Sequence, residues 1–249
     1  ICYKIINWFS LTSVHFGKPK EENKNYLQRK VVSTKYYNSF GLFLPSESGD
    51  LLDIVEKQNR IVLLGDAGIG KTTELRRIEW FFSRTDSPLV PFFLSLNKYV
   101  NQDISELLGD GWTTNPENRT LVILDGLDEI EAKNKNDAVR KIELFAEQHQ
   151  FCKILISSRN NFYNQEKGEE SGTINGFLSY VLLDLDYQEI QRYVGTVLEN
   201  KAEAFFDAVQ NGCLGALLKV PFYLVRLVKL FEQNENKLPE SKSEIFEYL

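Results

Sequence analysis

The sequence predicts an α/β fold: a parallel β-sheet covered by helices on both faces, followed by a small all-helical domain. Three observations carry that expectation. Between residues 51 and 198, short apolar runs alternate with segments whose apolar residues recur at three- and four-residue steps. Each short run is almost continuously apolar, the pattern of a strand buried on both faces. After about residue 198 the strand signals stop, and Phe205, Phe206, Val209, Leu214, Leu217, Leu218 and the run Leu224 to Phe231 keep only helical spacing. The expected organisation is a lead-in segment at 1–50, a nucleotide-binding domain at 51–198 and a helical domain at 199–249 that reads as cut short.

The lead-in carries scattered aromatics (Tyr3, Trp8, Phe9, Tyr36, Tyr37) and no clean period, although Ile5, Ile6 and Phe9 would share a helical face. Lys18, Lys20 and Lys24 are interspersed with Glu21 and Glu22, which reads as solvated surface and not as a binding patch. A helix-like stretch at 51–58 leads into the strand Ile61-Val62-Leu63-Leu64 and then a glycine loop. The following helix, about 71–84, places Leu75, Ile78 and Phe82 on one face. Pro88 and Pro91 bracket a second strand from Phe92 to Leu96. A short helix near 103–109 precedes the third strand, Leu121 to Leu124. The segment 137–149 aligns Ala138, Ile142, Phe145 and His149 on one stripe, with His149 read as a capping or core-edge residue. Lys153 to Ser157 is the fourth strand. A polar loop runs from Asn160 to Gly176, and Val181 to Leu183 is the fifth strand. Asp186 and Glu189 then form a capping pair for a helix bearing Ile190, Tyr193, Val194 and Val197 on one face. There is no internal repeat and no low-complexity tract.

Composition narrows the function classes. A formal net charge of −6 and a pI near 5.2 leave no overall basic field to recruit nucleic acid or an anionic membrane. Cys2, Cys152 and Cys213 are far apart, odd in number and form no C-x-x-C pair. That argues against a disulfide framework or zinc site and for a reducing, cytoplasmic compartment. With only His15 and His149, a histidine-based metal centre is not expected. No apolar run approaches the roughly 20 residues that a membrane helix requires. The start at Ile1, the lack of any methionine and the end "EIFEYL" in mid-helix pattern read as a piece of a longer polypeptide.

The chemistry concentrates in two places. Gly65-Asp66-Ala67-Gly68-Ile69-Gly70-Lys71-Thr72 fits G-x-x-x-x-G-K-[ST] at every fixed position, between an expected strand and an expected helix. Glycines allow φ > 0 and let peptide N–H groups approach phosphate oxygens with no Cβ in the way. The helix starting near Lys71 adds its positive dipole end. Lys71 supplies a point charge for β/γ phosphates, and the Thr72 hydroxyl is a ligand for Mg²⁺. The candidate nucleotide-binding residues are Gly65, Ala67, Gly68, Ile69, Gly70, Lys71, Thr72 and Thr73. The second place is the end of the third strand, where Leu121-Val122-Ile123-Leu124-Asp125 is followed by Gly126-Leu127-Asp128-Glu129. Asp125 is the second candidate metal residue beside Thr72, acting through water on the Mg²⁺ shell. Three acids within five residues at a buried strand end are costly unless a metal or a polarised water uses them. Asp128 or Glu129 is therefore the candidate for orienting or deprotonating an attacking water.

"GDAGIGKTT" joined to "LVILDGLDE" resembles the NACHT branch of the STAND ATPases, signal-transduction ATPases with numerous domains. "ILISSR" resembles that family's sensor-1 strand and "LLKVPFYL" its helical-domain motif, while "YLQRKV" at 26–31 is a less specific match to the lead-in of bacterial members. The resemblance covers residues 26–249. It implies an ASCE-type sheet of five parallel strands in the order 5-1-4-3-2, with one strand inserted between the two phosphate-site strands. It also implies adenine nucleotide (ATP/ADP) with Mg²⁺, and a switch that is closed with ADP and open and oligomeric with ATP. Pro221 would pack near the adenine. Arg159 would be either a phosphate sensor or a structural partner of Asp128 or Glu129. A winged-helix domain, sensor repeats for an unknown trigger and any effector would lie outside these residues; anti-phage defence is a common setting for bacterial relatives.

Other classes fit the same residues less well. Asn134-Lys135-Asn136-Asp137 matches the guanine signature N-K-x-D, but it follows Asp125 too closely, and a helix cap at Asn136 or Asp137 accounts for it. An AAA+-like motor or DNA-linked ATPase is disfavoured by the acidic charge, and a binding module without catalysis by the complete set of Lys71, Thr72, Asp125 and an extra acid.

Overall fold

The apolar run at 61–64 lies at the centre of a sheet. The computed structural model describes residues 26–37, 48–84, 86–163 and 173–239. The lysines at 18–24, the face Ile5, Ile6 and Phe9, and "EIFEYL" lie outside them. Strand β2 (Arg60–Leu64) is flanked in parallel by β5 (Lys153–Ser158) and by β6 (Leu178–Leu182). Beyond β5 follow β4 (Thr120–Asp125) and β3 (Val90–Ser95), also parallel. Every residue of β4 is buried, as the unbroken apolar pattern requires of a strand covered on both sides.

The expected five-stranded parallel sheet needs one correction. A sixth strand, β1 (Val31–Ser33), pairs antiparallel with β6, so the sheet is mixed and its order is β1-β6-β2-β5-β4-β3. A three-residue strand is too short to show a period, which is why the lead-in reads as irregular in sequence. The sheet thus draws on residues before 51, and Val31 and Val32 feed the cores on its two faces. Pro91 lies inside β3 and does not bound it. β3 is an edge strand, where a residue lacking an N–H is tolerated.

Helices cover both faces. On one, α2 (Leu51–Lys57) and α3 (Lys71–Phe82) pack Leu51, Val55, Leu75, Ile78 and Phe82 onto Ile61, Leu63, Leu121 and Leu155. After β1 comes the single turn α1 (Thr34–Tyr37), whose Tyr37 packs against the opposite core. Between β3 and β4 lies the short α4 (Ile104–Leu108). On the other face, α5 (Ala132–Gln148) sets Ala138, Ile142 and Phe145 against Val62, Val122 and Ile156. Each such side chain larger than alanine contributes about 1.5–3 kcal/mol on removal from water. α5 starts five residues before the expected 137, because its first turns are polar and carry no apolar signal. His149 caps its C-terminus, bonds Glu117 at 2.7 Å and meets the Trp112 ring edge-on at 4.8 Å, as a core-edge residue would.

A third core joins α6 (Tyr187–Leu198), α7 (Ala202–Asn211) and α8 (Pro221–Gln233) through Ile190, Val194, Phe205, Leu224, Leu227 and Phe231. α6 therefore packs with the helices after residue 198 and not on the sheet. Its Asp186 side chain accepts from the Glu189 N–H at 2.8 Å, the expected N-cap.

Candidate functional site

β2 ends in the loop at 65–70, and α3 begins directly behind it at Lys71. Gly68 (φ 77°) and Gly70 (φ 99°, the helix N-cap) both take left-handed backbone, which a side chain would strain. A Cβ at Gly65 would stand 2.8 Å from Ile69 Cγ2, so this position too accepts only glycine without a shift. Buried Ile69 anchors the loop in the core below α3, whereas Ala67, Gly68 and Thr72 are open to solvent and Thr73 is half-buried. The Lys71 ammonium folds back across the loop, donating to the carbonyls of Gly65 (2.7 Å) and Asp66 (3.3 Å). It forms no ion pair with a carboxylate among the described residues. Burial lowers its pKa, and the fields of Asp128 and Asp125 oppose that shift. A cation held on two carbonyls at a helix N-terminus is arranged to exchange them for a phosphate.

The facing wall is the end of β4. The register that sets Leu124 beside Ile156 brings Asp125 next to Ser157. The Ser157 hydroxyl, fully buried, donates to Asp125 Oδ1 at 2.6 Å and accepts from the Gly126 N–H at 2.8 Å. Asp125 is thereby aimed by a residue on the neighbouring strand. Sequence reasoning passed over Ser157; the available signal was a polar residue closing an apolar strand. Gly126 (φ 86°) turns the chain into a single 3-10 turn, Leu127–Glu129, that presents the other two acids.

Those acids have unequal surroundings. Both oxygens of Asp128 are taken by Arg159: its Nε lies 2.9 Å from Oδ2 and its backbone N–H donates to Oδ1 at 3.1 Å. Of the two readings of Arg159, the ion pair with Asp128 is the arrangement present here, with the guanidinium 44% exposed and the carboxylate 5%. Glu129 has no such partner among the described residues. Partial burial, then Asp125 and Asp128, raise its pKa. A second tie crosses from β5 to the loop, where Asn160 Nδ2 donates to Asp66 Oδ1 at 3.2 Å.

The helical body closes on the loop from above. Pro221 is the first residue of α8, a position that needs no N–H donor. Its neighbours make the contact: the Phe222 N–H donates to the Gly68 carbonyl at 3.3 Å, and a Cβ on Gly68 would lie 3.1 Å from Phe222 Cβ and 3.6 Å from Val220 Cγ1. The guanine-like string at 134–137 lies within α5, where Asp137 accepts from Tyr99 Oη at 2.7 Å and from Arg140 at 3.2 Å. The cap of that helix is at Glu131, not at Asn136 or Asp137.

A glycine loop and lysine between a central strand and its helix, facing an acidic strand end across a mostly parallel sheet, define a P-loop NTPase of the ASCE type. The NACHT domain family matches residues 59–201, more than half of the chain, and the protein belongs to that family. No curated protein sequence is similar enough to match. Among solved structures the chain is similar to the S. cerevisiae Hsp104–ADP complex, at 12% identity and a TM-score of 0.46 over 80% of this chain and 32% of that one. It is also similar to a mutant of Thermotoga maritima RuvB, at 14% identity and a TM-score of 0.43 over 79% of this chain and 64% of that one. The chain spans about a third of the Hsp104 chain and just under two thirds of the RuvB chain.

Proposed function

We propose that this chain is the adenine-nucleotide switch of a larger signalling protein, holding ADP at rest and hydrolysing ATP slowly. The observation that carries this reading is the placing of Lys71, held by loop carbonyls, within the field of the acidic end of β4, one strand removed from β2, where Asp125, Asp128 and Glu129 stand. The loop N–H groups from Gly65 to Thr73 and the Lys71 ammonium would hold the β/γ phosphates. The residues present fit Mg²⁺: Ser157 occupies Asp125 Oδ1 and leaves Oδ2 for a metal-bound water, with Thr72 in the first turn of α3 as the second ligand. When bound, the ion would neutralise charge on the phosphates. Glu129 would orient or deprotonate the attacking water. Its raised pKa suits a base, and its carboxylate is not consumed by an arginine. Asp128 would hold Arg159 until a phosphate competes for the guanidinium. A switch has to keep its state, so slow turnover belongs to the reading.

The division into a lead-in, a nucleotide domain and a helical body is part of the same proposal, with α6 assigned to the helical body. Activation by a trigger sensed outside these residues, assembly of several copies on ATP, and a cytoplasmic setting in signalling or defence complete it. No helix among the described residues is long and apolar enough to cross a membrane. The test is extraction of bound nucleotide from purified protein followed by chromatography. Recovery of ADP or ATP is expected; recovery of guanine nucleotide alone would reject the reading.

A further inference from the structure

The lead-in contributes a buried cation that the phosphate chemistry does not use. β1 runs antiparallel to β6 with Val31 opposite Leu182, so residues before Val31 continue past the carboxyl end of β6. β6 and β2 are parallel, so this is also the end at which β2 delivers the phosphate loop. Arg29 lies there at 4% exposure, with Nη2 donating to the Leu183 carbonyl. Its Nε and Nη1 have no hydrogen-bond partner, and they are the only buried side-chain nitrogens without one among the described residues. Burial works against the charge on the guanidinium, and the carboxylates of Glu74, Asp184 and Glu189 supply negative potential that opposes that cost. That field keeps it charged but leaves two donors unsatisfied, a condition that native interiors avoid.

The layout of the strands indicates where a base would lie. Asp125, Asp128, Glu129, Ser157 and Arg159 all belong to the ends of β4 and β5, on one side of β2. A triphosphate whose last phosphate points to them leaves its ribose and base on the other side, over β6. Three segments converge at that place. Leu182 Cβ is 3.6 Å from where a Gly65 Cβ would stand, which puts the end of β6 against the loop. The Leu185 N–H donates to the Lys219 carbonyl at 2.9 Å, just before α8 touches Gly68. Tyr26 Oη donates to Glu74 in the first turn of α3 at 2.6 Å, which fixes the lead-in over the same helix. Apolar Leu182, Val220 and Phe222 stand against the loop on this side, and Arg29 is the buried donor beyond the end of β6.

We propose that Arg29 reads the base: Nε or Nη1 donates to one ring nitrogen of adenine. This rests on the adenine-nucleotide reading and adds the residue that recognises the base. The test titrates the unmodified protein with ATP and with 1-deaza-, 3-deaza- and 7-deaza-ATP, each lacking one ring acceptor. One analogue should bind at least about tenfold more weakly than ATP, as expected for a lost hydrogen bond to a charged donor. In Arg29→Gln, ATP should fall to about that level, and the same analogue should lose nothing further. Three analogues that all bind like ATP, or a penalty that persists in Arg29→Gln, would overturn the assignment. If Arg29→Gln does not fold, the analogue series on the unmodified protein decides alone. Absence of ATP binding by the unmodified protein would overturn the nucleotide reading together with the role of Arg29.

Discussion

Two acids three residues apart differ from a third by what their neighbours do. Asp125 is steered by Ser157 and Asp128 is neutralised by Arg159, while Glu129 faces their combined field with no partner of its own among the described residues. This asymmetry separates binding from turnover. Lys71→Ala should abolish nucleotide binding in an equilibrium titration, since it removes the only cation in the loop. Glu129→Gln should bind ATP as the unmodified protein does and slow phosphate release about a hundredfold or more, the usual worth of a positioned base. Unchanged turnover in that variant would move the catalytic role to Asp128. Ser157→Ala should leave binding of Mg²⁺-free nucleotide intact and raise the Mg²⁺ concentration needed for turnover about tenfold, in line with one lost hydrogen bond to a charged group. Ser157→Thr keeps the hydroxyl and should restore the original requirement.

Where the phosphate loop meets α8, the fit of two backbones decides more than any charge. Gly68 combines left-handed backbone with a Phe222 contact that would have to give by a few tenths of an ångström to admit a methyl group. Gly68→Ala should cost roughly 1–2 kcal/mol from backbone strain, a melting temperature lower by several degrees. It should also loosen α8, because the new Cβ presses on the same residue whose N–H bonds the Gly68 carbonyl. Gly111→Ala is the matched control, since nothing lies within 4 Å of that position and its backbone is not left-handed. A melting curve for each variant checks the pair, and equal melting temperatures would remove the strain argument. The lead-in is tied in the same way through side chains. Buried Glu74 on α3 receives the Tyr26 hydroxyl and pairs with Arg77 at 3.0 Å, and Arg77 also pairs with Asp50 at the start of α2. On the helical side, the Gln28 N–H donates to Glu189 on α6 at 2.6 Å.

Under the proposed function, these ties would give a bound nucleotide a lever on the arrangement of the chain. The phosphate loop touches β5 through Asn160, the helical body through Phe222 and the lead-in through α3. A ligand that reshaped the loop would act on three segments at once, as a population shift requires. The expected outcome is that the Glu129→Gln protein, saturated with Mg²⁺-ATP, scatters light as a larger species than the same protein with Mg²⁺-ADP. Identical mass in both nucleotides would show that this portion of the protein does not carry assembly.

The glycine loop, the lysine, the acidic strand end and the alternation of strands and helices were legible because each is written in consecutive residues. Backbone freedom, apolar period and the spacing of charges are local properties, so a one-dimensional reading recovers them. The pairing of Arg159 with Asp128, the aiming of Asp125 by Ser157, the seat of Phe222 on Gly68 and the orphaned donors of Arg29 were not legible. Each joins residues that lie far apart in the chain, such as Ser157 and Asp125 with a separation of 32 positions, and it depends on strand register and helix packing. β1 belongs with them, because three residues show no period and become a strand only when β6 offers an edge. The kind of chemistry is local and was read from the chain. Which acid stays free, which serine steers and which arginine keeps two donors unpaired are outcomes of packing, because burial and neighbours exist only after the chain has folded.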